Sequence, residues 1–210
     1  MDKIIGLGNA LVDVLATLKD DTLLDEMGLP KGSMQLIDDA KLQQINTKFS
    51  QMKTHLATGG SAGNTILGLA CLGAGTGFIG KVGNDQFGKM LKETIEEAGI
   101  HASNLIFDNQ VNTTFAFVHT FKNGDRDFSF YRNPGADMML TAAEVNEETI
   151  KQSKIFHFGT LSMTAEGVRE ATKKAVKTAK ENGCLISFDP NLRPPLWESL
   201  ELARTQMEYG

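Results

Sequence analysis

The sequence predicts an α/β fold, a doubly wound and mostly parallel sheet with a small β-sheet beside it. Three observations carry the prediction. Short apolar runs alternate with helix-period segments along most of the 210 residues, as they do when helices cover both faces of a parallel sheet. Residues 113–120 and 126–131 instead alternate apolar and polar side chains, and the Asn123-Gly124 step between them is a strong hairpin signal. Turns bearing Gly, Asn and Asp follow apolar runs at 8–9, 59–60, 83–85 and 189–191. In an open parallel sheet, ligands bind beyond the carboxyl ends of the strands, where these turns would fall.

In chain order, residues 4–7 read as a buried strand and 12–17 as further extended chain. Residues 21–27 form a short helix, 28–32 a loop, and 39–52 a helix capped by Asp38 or Asp39. Gly59-Gly60-Ser61-Ala62-Gly63-Asn64 opens an apolar, small-residue helix that runs through Ile66, Leu67, Leu69, Ala70 and Leu72 and stops at Gly73. Residues 76–82 are a strand. Residues 86–98 are an amphipathic helix that Asp85 can cap and Gly99 ends. After the hairpin come a helix from 142 to 148 with an extension, a strand at 154–158, a helix at 166–182, a strand at 184–188 and a last helix at 198–209.

Composition excludes several functions. The formal net charge is −5, and Lys173-Lys174 share their helix with acidic residues, so no basic surface for nucleic acid is expected. No apolar run is long enough to span a bilayer and no basic, then apolar, leader precedes the first strand, so a cytoplasmic location is expected. The four histidines have no metal-ligand spacing, and no metal is expected on protein ligands. Cys71 and Cys184 both lie in apolar segments and are expected to be buried, reduced thiols.

Several residues have chemistry suited to a site. The Gly59-Gly60 turn lets backbone approach a ligand, and the unpaired N–H groups of the helix it opens can bind oxygen. Asn64 adds an amide donor and a carbonyl acceptor, which suits a polyol. An ordinary helix start capped by Ser61 is the alternative. Asp13, just past the first strand, can accept two hydroxyl hydrogen bonds or can serve only a turn. Gly80-Lys81-Val82-Gly83-Asn84-Asp85-Gln86-Phe87-Gly88 is read as structural, a strand, a turn and a cap. Tyr131-Arg132-Asn133-Pro134-Gly135-Ala136-Asp137 ends the hairpin, and Arg132 either reaches a cleft or faces solvent. In Asp189-Pro190-Asn191-Leu192-Arg193-Pro194-Pro195-Leu196-Trp197 the prolines fix a rigid exit from the strand. Asn191 and Arg193 then project at its carboxyl edge, or the segment is simply a loop. His119 and His157 lie in strand-like runs and are read as packing residues.

The ordered set resembles the ribokinase-like, or PfkB, carbohydrate kinases. The carrying motifs are Gly59-Gly60-x-x-x-Asn64, Gly80-x-Val82-Gly83-x-Asp85-x-Phe87-Gly88 and Asp189-Pro190-Asn191-x-Arg193. From Gly83 onward the chain resembles bacterial fructokinases. Gly8-Asn9-Ala10-Leu11-Val12-Asp13 and Leu29-Pro30-Lys31-Gly32-Ser33-Met34 resemble the adenosine-kinase-like branch. The resemblance implies a Rossmann-like sheet with a β-sheet lid, ATP and Mg2+ as cofactors, a sugar as substrate and a homodimer formed through the lid. It assigns Asp13, Gly59, Gly60, Asn64, Tyr131, Arg132 and Arg193 to the substrate and Asn191 to the nucleotide.

One departure bears on mechanism. The family's catalytic base lies in a Gly-Ala-Gly-Asp motif at an anion-hole helix, and no such motif occurs in the 210 residues; neither does the family's Asn-x-x-Glu motif. The base is therefore expected to lie beyond Gly210. The chain is expected to be the N-terminal portion of one ribokinase-like domain, with lid segments at about 13–38 and 105–134. It would carry the sugar side, no catalytic residue, and little turnover alone. A nucleoside kinase, a sugar-acid kinase and an inactive sugar-binding fragment are the alternatives to a fructokinase.

Overall fold

A computed structural model describes residues 4–17, 22–28, 34–49, 52–120, 126–132 and 134–210. The main sheet has five strands: β1 (Ile4–Leu7), β5 (Thr76–Gly83), β6 (His101–Asp108), β9 (Ile155–Gly159) and β10 (Leu185–Asp189). Their order is β10-β9-β1-β5-β6 and every pairing is parallel. The expected doubly wound sheet is present, and the apolar runs follow from burial on both faces. Along β5, Phe78 and Val82 enter one hydrophobic cluster while Ile79 enters the other, as a period of two requires. Helices α3 (Ser61–Cys71) and α4 (Gln86–Glu97) pack into the first cluster through Ala62, Ile66, Leu91 and Ile95. Helices α6 (Glu166–Glu181) and α7 (Leu200–Tyr209) pack into the second through Val168, Ala171, Ala175 and Ala203.

The chain leaves β1 at Gly8–Ala10 and enters a second sheet. It is built from β2 (Leu11–Thr17), β3 (Met34–Leu36), β4 (Thr54–Gly59), β7 (Thr114–Thr120) and β8 (Arg126–Tyr131), ordered β3-β8-β7-β2-β4. β7 and β8 pair antiparallel, as their alternation predicts, while β2 and β7 pair parallel. The Asn123-Gly124 turn lies outside the described residues. Val12, Val14 and Phe117 of this sheet share one cluster with Ile45 on α2 (Asp39–Phe49), with Phe78 and with Leu91. The backbone of β3 also touches the 3₁₀ turn Pro194–Leu196, so the second sheet reaches from α3 to the loop after β10.

Several expectations are corrected. Residues 105–108, expected in the small sheet, belong to β6 of the main sheet, while β4 supplies a small-sheet strand from outside the expected segments. β4 reads Thr-His-Leu-Ala-Thr-Gly and is mostly exposed at a sheet edge, so it lacks the alternation that marks a half-buried strand. β6 has a register shift against β5, which breaks its period. The helix expected from 142 is divided. A 3₁₀ turn at Ala142–Glu144, closed by a Thr141–Glu144 capping box, precedes α5 (Glu147–Lys151), which Asn146 caps. Asp38 is the cap of α2, its Oδ1 accepting from Lys41 N at 2.8 Å. Cys184 is buried, but Cys71 is exposed, because it is turned away from the Ala62 and Ile66 row of α3. The short α1 (Thr22–Met27) is present as expected.

Candidate functional site

The connections out of β1 run toward β5 and β6, and the chain then returns to the opposite side of β1 as β9 and β10. The order thus reverses between β1 and β9, and a crevice opens there beyond the carboxyl ends of the strands. Four segments line it: Gly8–Ala10 after β1, the start of α3, the 3₁₀ turn Thr160–Met163 after β9, and the loop after β10.

The glycines at the start of α3 are set by close approach. Gly60 caps the helix at φ 106°, and a Cβ there would overlap the carbonyl oxygen of Asn9. A Cβ on Gly8 would lie 2.6 Å from that of Ala62. The helix therefore seats directly on the chain leaving β1. Ser61 is its first residue and not its cap: its hydroxyl donates to Oδ2 of Asp189, the last residue of β10. Thr160 Oγ1 donates to the main-chain oxygen of Asn191 at 3.2 Å, which ties the β9 and β10 exits together.

Asp13 sits in β2, in register with Ala57 and Ala116. It is not a turn residue. A Cβ on Gly59 would stand 2.8 Å from Asp13 Oδ1, so the carboxylate reaches the foot of α3. Asp13, Gly59 and Gly60 thus meet at one place, and Asn64, exposed one turn into α3, faces solvent nearby. Asn9 joins them. It is 6% exposed, its Nδ2 donates to Leu161 O at 3.1 Å, and its Oδ1 is buried without a hydrogen-bond partner among the described residues. A buried unsatisfied acceptor is costly, which makes this oxygen a natural receiver for a ligand hydroxyl. The sequence signal for Asn9 was its place directly after a strand's carboxyl end.

Tyr131 and Arg132 lie apart from the Asp13, Gly59 and Gly60 cluster. Tyr131 is in register with Phe115, next to the Ala116 that faces Asp13's row, so Tyr131 lies on the opposite row of the second sheet. Its ring stacks on Phe115 at 5.1 Å, and Phe115 meets Phe87 of α4 at 5.7 Å. Arg132 is 9% exposed, with Nη2 2.7 Å from Oδ2 of Asp137. Asn191 is half-buried, and Arg193 is exposed at the start of the Pro194–Leu196 turn. Gly210 is exposed at the end of α7, where a Cβ would collide with the ring of Phe188 on β10.

The Gly80–Gly88 motif is structural here. Asp85 caps α4 by accepting from Gly88 N at 2.8 Å and also binds the N–H and hydroxyl of Thr113. Lys81 lies between Glu144 (2.8 Å) and Asp108 (3.2 Å). Burial works against its ammonium, but the hydrogen bonds to Glu144 and Asp108 outweigh this and raise its pKa. His157 is buried in β9 with Nδ1 3.0 Å from Ser187 Oγ, and burial lowers its pKa despite the opposing charge of Asp189. Among the described residues, no group of three His, Cys, Asp or Glu side chains is placed to hold a metal. Nor is any described helix long and apolar enough to cross a membrane.

Comparison with known proteins returns both likenesses. The profile of the pfkB family carbohydrate kinases matches residues 32–209. Fructokinase-1 of Zea mays is 46% identical over 151 residues, which are 72% of this chain and 47% of that protein. The adenosine kinase of Sinorhizobium meliloti superposes with a TM-score of 0.78 at 30% identity, over 89% of this chain and 56% of that one. The fructokinase of Xylella fastidiosa with bound ATP superposes at 0.76 and 29% identity, over 99% and 57%. The chain spans about half the length of the relatives it matches.

Proposed function

The chain belongs to the pfkB family of carbohydrate kinases, and on that premise we propose that it holds the sugar side of an ATP-dependent fructokinase. Its substrate is fructose, whose hydroxyl receives the γ-phosphate. The observation that carries this reading is the meeting of the Asp13 carboxylate, the Gly59–Gly60 backbone and the unsatisfied Asn9 Oδ1 at the switch-point crevice. A carboxylate, an amide oxygen and the free N–H groups of a helix start form a mixed acceptor and donor set for vicinal hydroxyls. Asp13 accepts from two sugar hydroxyls, Asn9 Oδ1 from a third, and Asn64 contributes its amide. The second sheet covers the crevice as a lid and excludes water. A neutral sugar is favoured over a sugar acid, because the guanidinium of Arg132 is already held by Asp137.

ATP would lie toward the loop after β10, with Asn191 and the exposed Arg193 as contacts to phosphate oxygens. Mg2+ would neutralise the phosphates and would be carried chiefly by them, since the described residues gather no carboxylate cluster. No Gly-Ala-Gly-Asp base occurs in the residues up to Gly210, so the reading is of sugar binding without appreciable turnover by this chain alone. Calorimetric titration of the chain with fructose, gluconate and adenosine tests it. Fructose binding that Asp13→Ala weakens by ~1–3 kcal/mol is the expected result. Binding of adenosine alone would replace the fructokinase reading with that of a nucleoside kinase, to which the adenosine kinase likeness points.

A further inference from the structure

Both strands of the hairpin meet the main sheet at one buried polar cluster. Arg132 directly follows β8 and Thr114 begins β7, and both reach Asp137. Nη2 of Arg132 is 2.7 Å from Asp137 Oδ2, with the two side chains 4% and 0% exposed. The hydroxyl of Thr114 donates to Asp137 Oδ1. Asp137 lies in the 3₁₀ turn Ala136–Met138, which packs on β5 and α6, so its carboxylate is fixed to the main sheet. The approach is tight: a Cβ on Gly135 would stand 2.5 Å from Asp137 Oδ1 and collide with the Thr114 hydroxyl. Ala136 N also donates to Asn112 O at 2.9 Å, just before β7.

The cluster continues into the crevice. Arg132 Nη1 lies 3.4 Å from Thr164 Oγ1, and Thr164 Oγ1 donates to Leu161 O at 3.2 Å. That same carbonyl accepts from Asn9 Nδ2 at 3.1 Å. One polar path therefore joins the root of the second sheet to the residue whose Oδ1 stands open at the site. Breaking a buried pair by removing one charge leaves the other charge uncompensated and is strongly destabilising.

We infer that Arg132 and Asp137 are positioning residues, a clamp that sets how the second sheet stands over the crevice and so where Asp13 meets the sugar. The inference rests on the reading of the second sheet as a sugar lid. The clamp acts through the strands it anchors and touches no substrate. Asp137 holds the charge, Thr114 and Arg132 hold the two strands, and Thr164 relays the arrangement to Asn9.

Amide hydrogen exchange of the purified chain, read segment by segment, tests the clamp apart from any ligand. In Asp137→Asn, exchange in residues 114–120 and 126–132 should rise at least tenfold while β9 and α6 keep their rates. A uniform rise across all four segments, or no rise in the hairpin, overturns the clamp. Thr164→Val removes only the relay contact and is expected to fold as the parent does. It should speed hairpin exchange to a smaller extent, and it decides the matter if Asp137→Asn does not fold. Fructose titration supplies a second reading: Asp137→Asn should weaken binding about tenfold, and Arg132→Lys, which keeps the charge, should weaken it less. If the parent chain binds no fructose, the sugar reading fails while the exchange result still judges the clamp.

Discussion

The hydroxyl of Ser61, the first residue of α3, donates to Oδ2 of Asp189, the last residue of β10. In the sheet, β9 stands between β10 and β1, on whose exit α3 sits. The contact therefore draws the helix start and the far strand together over the crevice. It also brings a carboxylate to a helix N-terminus, where the helix dipole favours negative charge.

Ser61→Ala should destabilise the chain by about 1.5–3 kcal/mol, the usual loss for a hydrogen bond to a charged group. Asp189→Asn should lose less, because an amide oxygen still accepts. Urea unfolding of the two variants gives the ordering, and equal stability with the parent in both would mean that the contact contributes nothing.

Gly60→Ala should destabilise the chain by about 3 kcal/mol, combining left-handed backbone strain with overlap on Asn9. Gly28 is the internal control. It also has positive φ, at 61°, but a Cβ there meets nothing within 4 Å. Gly28→Ala should therefore lose only about 1 kcal/mol. A larger loss at Gly28 than at Gly60 would refute the close-approach argument.

His157 should make stability fall in mild acid. Burial holds its folded-state pKa below the ordinary 6.5, so the unfolded chain binds the proton more readily. This contribution is complete above about pH 6.5 and is lost as pH falls from there toward the folded value. Stability measured at pH 7.5 and 5.5 should drop more in the parent than in His157→Gln. An identical drop in both would show that His157 does not titrate across folding.

Tyr131→Phe should leave fructose affinity within about twofold, because the ring belongs to the Phe115 row and not to the row of Asp13. Asp13→Ala should weaken binding by ~1–3 kcal/mol for a buried hydrogen bond lost, and Asn64→Ala by less, since Asn64 is exposed. Calorimetry on the three variants reads the contrast. A Tyr131→Phe loss as large as that of Asp13→Ala would return Tyr131 to the sugar.

Leu185 on the edge strand β10 and Leu200 at the start of α7 are 66% and 64% exposed. An open strand edge with apolar side chains favours association between chains. Leu185→Lys with Leu200→Lys should shift the purified chain toward monomer in sedimentation analysis, and an unchanged distribution would place any association elsewhere.

Much of this was legible in the sequence because its cause is local. The run from Thr76 to Val82 is buried throughout and mostly apolar since both sheet faces are covered, and Asp85 starts α4 and Gly99 follows its end by backbone chemistry written in adjacent residues. The β7–β8 pairing follows from alternation. The close approach at Gly60 was legible too, since a Gly-Gly step at a helix entrance permits positive φ and backbone contact. β4 and β6 were not, because an exposed edge and a shifted register erase the period that marks a strand. Tertiary structure alone decided the partners. No local rule says that Ser61 turns from capping α3 to meet Asp189, 128 positions away, or that Arg132 spends its charge on Asp137. Nor does one say that a one-residue step along β7 puts Asp13 and Tyr131 on opposite rows. Sequence patterns report which residues want burial or a turn. Which charge meets which, and on which face, depends on strand order and register, and these are set by packing across the whole fold.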